Sequence, residues 1–262
     1  MRGNRQSSFL DVHWRIGRLF DVPINIHLTL VFFLIPAIAM SKSWGPWLAL
    51  EFSALMVLSI LLHELGHALV AKRYRMGGLS IMLHGFGGFA TSSGYRTPKQ
   101  ALMITLAGPA VTFVIGTLCW LMAYQSMHAP EFPSLQMQLI HGVGLLNLWL
   151  GLFNLIPSQP FDGGHAAVAL LNYRWNEFKA HRFVGHLGLI ATPVLLGVGF
   201  YFDLPYAPIF AIIGFLNSYM YLAQTGGVKF NELWADRKRR KEEAAYKAKR
   251  EAESQAYLGR CL

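Results

Sequence analysis

The segment His63-Glu-Leu-Gly-His67 places two imidazoles and a carboxylate within five residues. On a helix, residues four apart lie on one face about one turn apart, so His63 and His67 can bind one metal ion. Glu64 lies next to them and can act as a general base towards water at that metal. The pattern therefore predicts a zinc-dependent hydrolase, the alternative being histidines that only hydrogen-bond neighbouring helices.

The residues around this motif are those of a membrane-spanning helix. Ionisable side chains are costly inside such a helix and mark functional sites. Of the 262 residues, 53% are hydrophobic and only 14% are charged, whereas a soluble domain carries roughly a quarter charged residues. The mean hydropathy is +0.35. We therefore expect an integral membrane protein with little room for a separate soluble domain.

Six apolar segments each approach the ~20 residues that a helix needs to cross a bilayer. The fold class predicted is all-α, with six transmembrane helices and a small β-hairpin or re-entrant segment, at residues 77–96, between the second and third. Lys and Arg are abundant in alternate flanking segments, so the positive-inside rule predicts that both termini are cytoplasmic. The predicted spans are residues 24–41, 47–71, 99–124, 137–156, 183–202 and 206–224.

Three regions follow from this reading. Residues 1–23 form a cytoplasmic N-terminal segment, residues 24–225 the six-span domain, and residues 226–262 a charged, helical cytoplasmic tail. The net charge of +9 does not indicate nucleic acid, because ten of the 23 Lys and Arg residues lie in that tail. A solvated helix is the favoured reading of the tail, and binding to anionic lipid headgroups is the alternative.

A catalytic zinc ion usually has a third protein ligand. On the cytoplasmic side the candidates are His84, Asp162 and His165. Pro157 and Pro160 break the fourth span shortly before Asp162, and broken helices at membrane depth line cavities. With a rise of ~1.5 Å per residue, the metal is predicted to lie roughly 8–13 Å inside the cytoplasmic face.

The motif on the second span and the segment Asn154-Leu-Ile-Pro-Ser-Gln-Pro-Phe-Asp-Gly-Gly-His165 together resemble the site-2 protease family of intramembrane zinc metalloproteases. The opening "VPINIHLTLVFF" and the hairpin "HGFGG" are similar to its compact prokaryotic branch. The resemblance covers roughly residues 16–170. One departure is Thr112, which stands where the family often has an asparagine in Gly-Pro-x-x-Asn.

The resemblance implies that Asp162 completes a site for one zinc ion per chain with His63 and His67. It implies that Asn154 holds the substrate or the oxyanion that develops on its carbonyl. It also implies a single-span membrane protein as substrate, a regulatory membrane protein as partner, and a bacterial inner-membrane location.

The predicted activity is zinc-dependent hydrolysis of peptide bonds in or beside the membrane, with Glu64 as general base. The hairpin at residues 79–95 is expected to pair with the unwound substrate as an added strand. One alternative is a membrane metalloprotease of another class, with a glutamate such as Glu131 or Glu177 as third ligand. The other is a non-proteolytic zinc-binding or transport protein, in which Glu64 would be dispensable.

Overall fold

The computed structural model describes residues 13–127, 134–201 and 207–224. These residues form four strands, a 3₁₀ helix at Leu28–Phe33 and seven α-helices. The strands are β1 (His13–Leu19), β2 (Val22–His27), β3 (Gly77–His84) and β4 (Gly87–Ser93). The helices are α1 (Leu34–Trp44), α2 (Pro46–Arg73), α3 (Pro98–Met127), α4 (Leu135–Asn154), α5 (Asp162–Leu171), α6 (Glu177–Tyr201) and α7 (Ala207–Gln224).

Three helical segments are long and apolar enough to cross a membrane: Pro46–Arg73, Pro98–Tyr124 and Glu177–Tyr201. Shorter apolar helices cover Leu28–Trp44 and Ala211–Leu222. Large apolar side chains point outward from these helices rather than into a core. Large apolar side chains that are exposed along the length of several helices suit contact with lipid. The chain is therefore a membrane protein.

The predicted helical spans correspond to helices of the structure, except at the first. The segments 47–71, 99–124 and 137–156 coincide closely with α2, α3 and α4, and the last two fall within or along α6 and α7. The segment 24–41 was predicted as a continuous helix, which is wrong in its first half. There the chain is extended through His27 and becomes α-helical only at Leu34.

The structure is mostly helical, as predicted, but its sheet has four strands rather than the single predicted hairpin. Strand order is β1-β2-β3-β4, with β2 parallel to β3 and both outer pairs antiparallel. The β3–β4 hairpin was predicted. The β1–β2 hairpin was not, because its turn residues Phe20 and Asp21 both adopt positive φ without a glycine or asparagine to announce it. Residues 1–12 and the predicted tail at 226–262 lie outside the described residues.

One face of α2 packs against this sheet. Val22, Ile81 and Leu83 from β2 and β3 form a buried cluster with Leu65 and Ala68. The strands alternate, so their apolar side chains share the face that meets the helix. The cluster contains the residues next to the histidine motif, and it therefore fixes the rotation of α2 about its axis.

Another face of α2 meets α3 through Gly66, where a Cβ would come within 2.8 Å of the Ala107 carbonyl oxygen. The α3 and α4 backbones approach equally closely: a Cβ on Gly116 would lie 3.0 Å from the Gly144 carbonyl oxygen. Small residues let membrane helices come together in this way. The close contacts bring the end of α4 beside the motif on α2.

Candidate metal centre

The two motif histidines lie within α2, nearer to its C-terminal end than to its start. His63 and His67 are one turn apart, and their Nε2 atoms are 3.2 Å from each other. Both residues are buried, with 4% and 8% of their surface exposed. Two nitrogens this close and this buried are arranged to share one ligand.

The ring of His67 is held by α3. Its Nδ1 lies 2.7 Å from the Ile104 carbonyl oxygen, which can only accept, so Nδ1 carries the proton and donates. Nε2 is then left with its lone pair free for a metal ion. A backbone carbonyl as the outer partner of a metal-binding histidine is a common arrangement.

The third group arrives from the segment after α4. Asp162 is the first residue of α5, and its Oδ2 lies 3.1 Å from His63 Nε2 and 3.2 Å from His67 Nε2. The N-terminus of a helix favours a negative charge. Metal binding requires the ionised carboxylate, which this position at the start of α5 therefore favours.

The three groups fit a zinc ion. Their ligand atoms form a triangle with sides of 3.1 to 3.2 Å. Bonds of about 2.0–2.1 Å in a tetrahedron separate the ligand atoms by roughly 3.3 Å. A Cβ on Gly108 of α3 would lie 2.7 Å from His63 Nε2, so only glycine leaves this space open. His63, His67 and Asp162 could hold a metal ion, and they are the one such group among the described residues.

Glu64 lies beside this triangle and beneath β4. It is buried, with 6% of its surface exposed. A Cβ on Gly88 would lie 2.6 Å from Glu64 Cγ, so the strand passes directly over the side chain. The strand thus orients the general base predicted from the motif.

These residues line a cavity of about 640 Å³. Asn154 also lines it, but its amide donates to the Leu150 carbonyl oxygen of its own helix at 2.9 Å. The structure therefore brings Asn154 to the cavity wall without directing its donor at the metal site. Arg96 and Glu177 line the cavity as well.

The remaining candidates for the third ligand are not in the metal-binding group. His84 packs on Phe86 and Phe89 in the hairpin. His165 lines the cavity one turn along α5 from Asp162. Glu177 is on α6, and Glu131 lies outside the described residues.

Several residues that shape the site were not identified from the sequence. The Ile104 carbonyl is a backbone group, which carries no side-chain signal. Gly108 stands in the sequence Gly-Pro-x-x-Thr and could have been singled out as a close-approach position. Thr112, the departure from the family pattern, donates to the Pro109 carbonyl oxygen at 2.9 Å and is fully buried. It therefore makes its polar contact within α3.

Comparison with known proteins agrees with this geometry. Residues 51–139 match the profile of peptidase family M50. The solved structure of the site-2 protease from Methanocaldococcus jannaschii aligns with a TM-score of 0.56 and 28% identity, covering 80% of this chain and 95% of that one. The resemblance to the site-2 protease family is confirmed.

Two curated relatives extend the comparison. Zinc metalloprotease MJ0392 of Methanocaldococcus jannaschii is 32% identical over 187 residues, which are 71% of this chain and 53% of the relative. Stage IV sporulation protein FB of Bacillus subtilis is 27% identical over 170 residues, 64% of this chain and 54% of the relative. The chain thus spans about half the length of these curated relatives.

Proposed function

We propose that this chain is a zinc-dependent intramembrane endopeptidase that cleaves transmembrane or membrane-adjacent segments of membrane proteins. The observation that carries the proposal is the triangle of His63, His67 and Asp162 ligand atoms. It lies beside the buried carboxylate of Glu64 in a cavity among apolar helices. The relatives named as zinc metalloproteases and the site-2 protease structure support it.

In this proposal His63, His67 and Asp162 hold one zinc ion. When bound, zinc supplies a Lewis acid that polarises a peptide carbonyl and makes nearby water more acidic. Glu64 takes a proton from the attacking water and passes it to the leaving amine. Asn154 turns its amide from Leu150 towards the substrate and donates to the carbonyl oxygen as charge develops there. The cavity admits the water that the surrounding lipid excludes.

The hairpin provides a surface for the unwound substrate. β4 is an edge strand of the sheet, and Phe89 and Thr91 line the cavity. A substrate strand could pair along this edge. Two glycines of the hairpin make close contacts: Gly88 makes room for Glu64, and Gly85 lies against Thr29 and Phe32 at the start of the first apolar helix. Their closest contacts are therefore within the protein itself.

The proposal extends to topology and partners. We place six spans in residues 24–225, flanked by cytoplasmic segments at 1–23 and 226–262, in a bacterial inner membrane. Three helices have the length and apolar composition for spans, and the helical segment Leu28–Trp44, α4 and α7 would supply the others. The substrate would be a single-span membrane protein, and a second membrane protein would regulate access to it.

The test compares membranes of cells that express the chain or its Glu64→Gln variant. New protein N-termini are identified by mass spectrometry, and zinc is quantified in both purified proteins. We expect fragments cut within or beside membrane spans only with Glu64, a loss of cleavage of 10²-fold or more in the variant, and equal zinc content. Zinc without any Glu64-dependent fragment would favour the non-proteolytic alternative instead.

A further inference from the structure

The linker that precedes Asp162 packs closely against α6 and α7. Residues 155–161 connect α4 to α5, and within them Ser158 is fully buried. Its Oγ lies 3.2 Å from the Ser218 Oγ of α7. Phe161, which directly precedes Asp162, is also buried, with 7% of its surface exposed. Ser158 and Phe161 thus lie four residues and one residue before Asp162, the proposed third ligand.

Two glycines allow α6 and α7 to pack this closely against the linker. On α6, a Cβ at Gly188 would lie 2.7 Å from Ser158 Oγ. On α7, a Cβ at Gly214 would lie 3.2 Å from the ring of Phe161 and 2.7 Å from Thr192 Cγ2 of α6. The helices and the linker therefore meet without space for any larger side chain, and a shift of either helix would be transmitted to the linker.

His181 of α6 holds the linker from a second point. The Gln159 Nε2 amide donates to His181 Nδ1 at 3.2 Å. The imidazole lies against the ring of Tyr221 on α7, with 5.2 Å between centroids and 30° between the planes. One side chain thus joins both helices to the linker, three residues before Asp162.

The carboxylate of Asp162 has little other support. Among the described residues, its hydrogen bonds go to the two histidines with which it would share the metal. The position of Asp162 relative to α2 is therefore set by its backbone, and that backbone is set by the linker.

We propose that His181 and Ser218 are positioning residues that hold Asp162 in reach of the metal, so that the packing of α6 on α7 controls the third ligand. This inference rests on the proposed zinc-dependent function. Neither residue was assigned a role by the sequence motifs. Outer groups that orient metal ligands change metal affinity about 10–100-fold when they are lost.

The experiment measures zinc affinity of the purified full-length chain by competition with a chelator. His181→Phe keeps a ring against Tyr221 but removes the acceptor for Gln159, and Ser218→Ala removes one hydroxyl. Each is expected to weaken zinc binding about 10–100-fold. His181→Asn restores an acceptor near the Nδ1 position and should recover most of the affinity. The control is Asn217→Ala, which removes an amide whose hydrogen bond, within the described residues, goes to the Ile213 carbonyl oxygen of its own helix.

A double-mutant cycle separates positioning from general stability. If His181 acts through Asp162, then His181→Phe should cause no further loss of zinc affinity in an Asp162→Ala background. The Co²⁺-substituted protein provides a second readout, since its visible spectrum reports coordination geometry. We expect the His181→Phe spectrum to shift towards that of Asp162→Ala.

The outcomes distinguish this inference from the proposed function. If the wild-type chain bound no zinc, both would fail. If Asp162→Ala weakened zinc binding while His181→Phe and Ser218→Ala matched the wild type, only the positioning role would be overturned. It would also be overturned if Asn217→Ala weakened binding equally, or if His181→Phe still reduced affinity without Asp162.

Discussion

Two glycines border the metal centre, Gly108 on α3 and Gly88 on β4. Gly108 leaves space at the Nε2 atoms of His63 and His67, and Gly88 leaves space at Glu64. One therefore adjoins the metal-binding atoms and the other the proposed general base. A methyl group added at Gly108 should disturb metal binding, whereas one added at Gly88 should disturb proton transfer. The two substitutions therefore test the two functions separately and leave His63, His67 and Glu64 in place.

We predict that Gly108→Ala weakens zinc binding by at least 10–100-fold and removes cleavage activity. The added Cβ would lie 2.7 Å from His63 Nε2 and displace the imidazoles. Alanine favours a helix over glycine by up to about 1 kcal/mol, so α3 itself should not be weakened. The measurement is zinc content after dialysis against a chelator. Gly197→Ala on α6 is the control, because nothing lies within 4 Å of its Cβ; zinc retained by both variants would contradict the prediction.

Gly88→Ala should have the complementary effect. Its Cβ would lie 2.6 Å from Glu64 Cγ and 3.1 Å from Ile60 Cγ2, so either the carboxylate or β4 must shift. A displacement near 1 Å at a reacting group can cost about 10²-fold in rate. We expect kcat to fall by that order while zinc content stays that of the wild type. Gly17→Ala in β1 has an open Cβ position and serves as the control; an unchanged kcat in both variants would argue against a catalytic Glu64 beneath the strand.

At the scale of elements, the features that could be predicted are those encoded by neighbouring residues in the sequence. The helices α2, α3 and α4 follow from long apolar runs, and the candidate metal ligands of α2 follow from spacing on one helix. The β2–β3 pairing joins residues 57 apart, such as Ile24 and Ile81, and no local pattern announces it. The sequence "VPINI" therefore read as the start of a span. The packing of α6 and α7 against the linker before Asp162 is likewise a tertiary contact, and no sequence motif predicts it.

The β1–β2 turn is tied to the end of α2 by one ion pair, and this contact should respond to pH. Lys72 Nζ lies 2.8 Å from Asp21 Oδ2 and 2.7 Å from the Phe20 carbonyl oxygen. The hydrogen bond and charge of Lys72 lower the pKa of Asp21 below 3.8. A lowered pKa means that the contact stabilises the hairpin above pH 3.8 and is lost as the pH falls through the folded value.

Hydrogen exchange of residues 13–27 would measure this effect. Because intrinsic amide exchange itself slows in acid, rates are normalised to the intrinsic rate at each pH, and we expect lower protection in acid than at neutral pH for the wild type. In Asp21→Asn, protection should already be lower at neutral pH and fall less on acidification. Because Asp21 is exposed, the difference should be small. Identical pH profiles for the two proteins would show that the ion pair does not hold the turn.

At the scale of the whole molecule, α2 is both a candidate membrane span and the helix that carries the histidine motif. Its 28 residues extend about 42 Å, more than the ~30 Å of a bilayer core. His63 lies nine residues before Lys72, which puts it about 13 Å from the basic end of the helix. The sheet and α3 cover two faces of this buried half, and Asp162 closes a third direction. The cavity is therefore the route by which water would reach the metal centre.

In the proposed topology, the basic end of α2 faces the cytoplasm and its other end faces outward. Lys42, on α1, and Lys99, at the start of α3, are both exposed and lie at opposite ends of the α2–α3 unit. In a chain lacking Cys119 and Cys261, we expect Lys42→Cys to react with a membrane-impermeant maleimide in spheroplasts. Lys99→Cys should react only after the membrane is permeabilised. Each cysteine serves as the control for the other, and the opposite pattern would invert the proposed topology and place the opening of the catalytic cavity outside the cell.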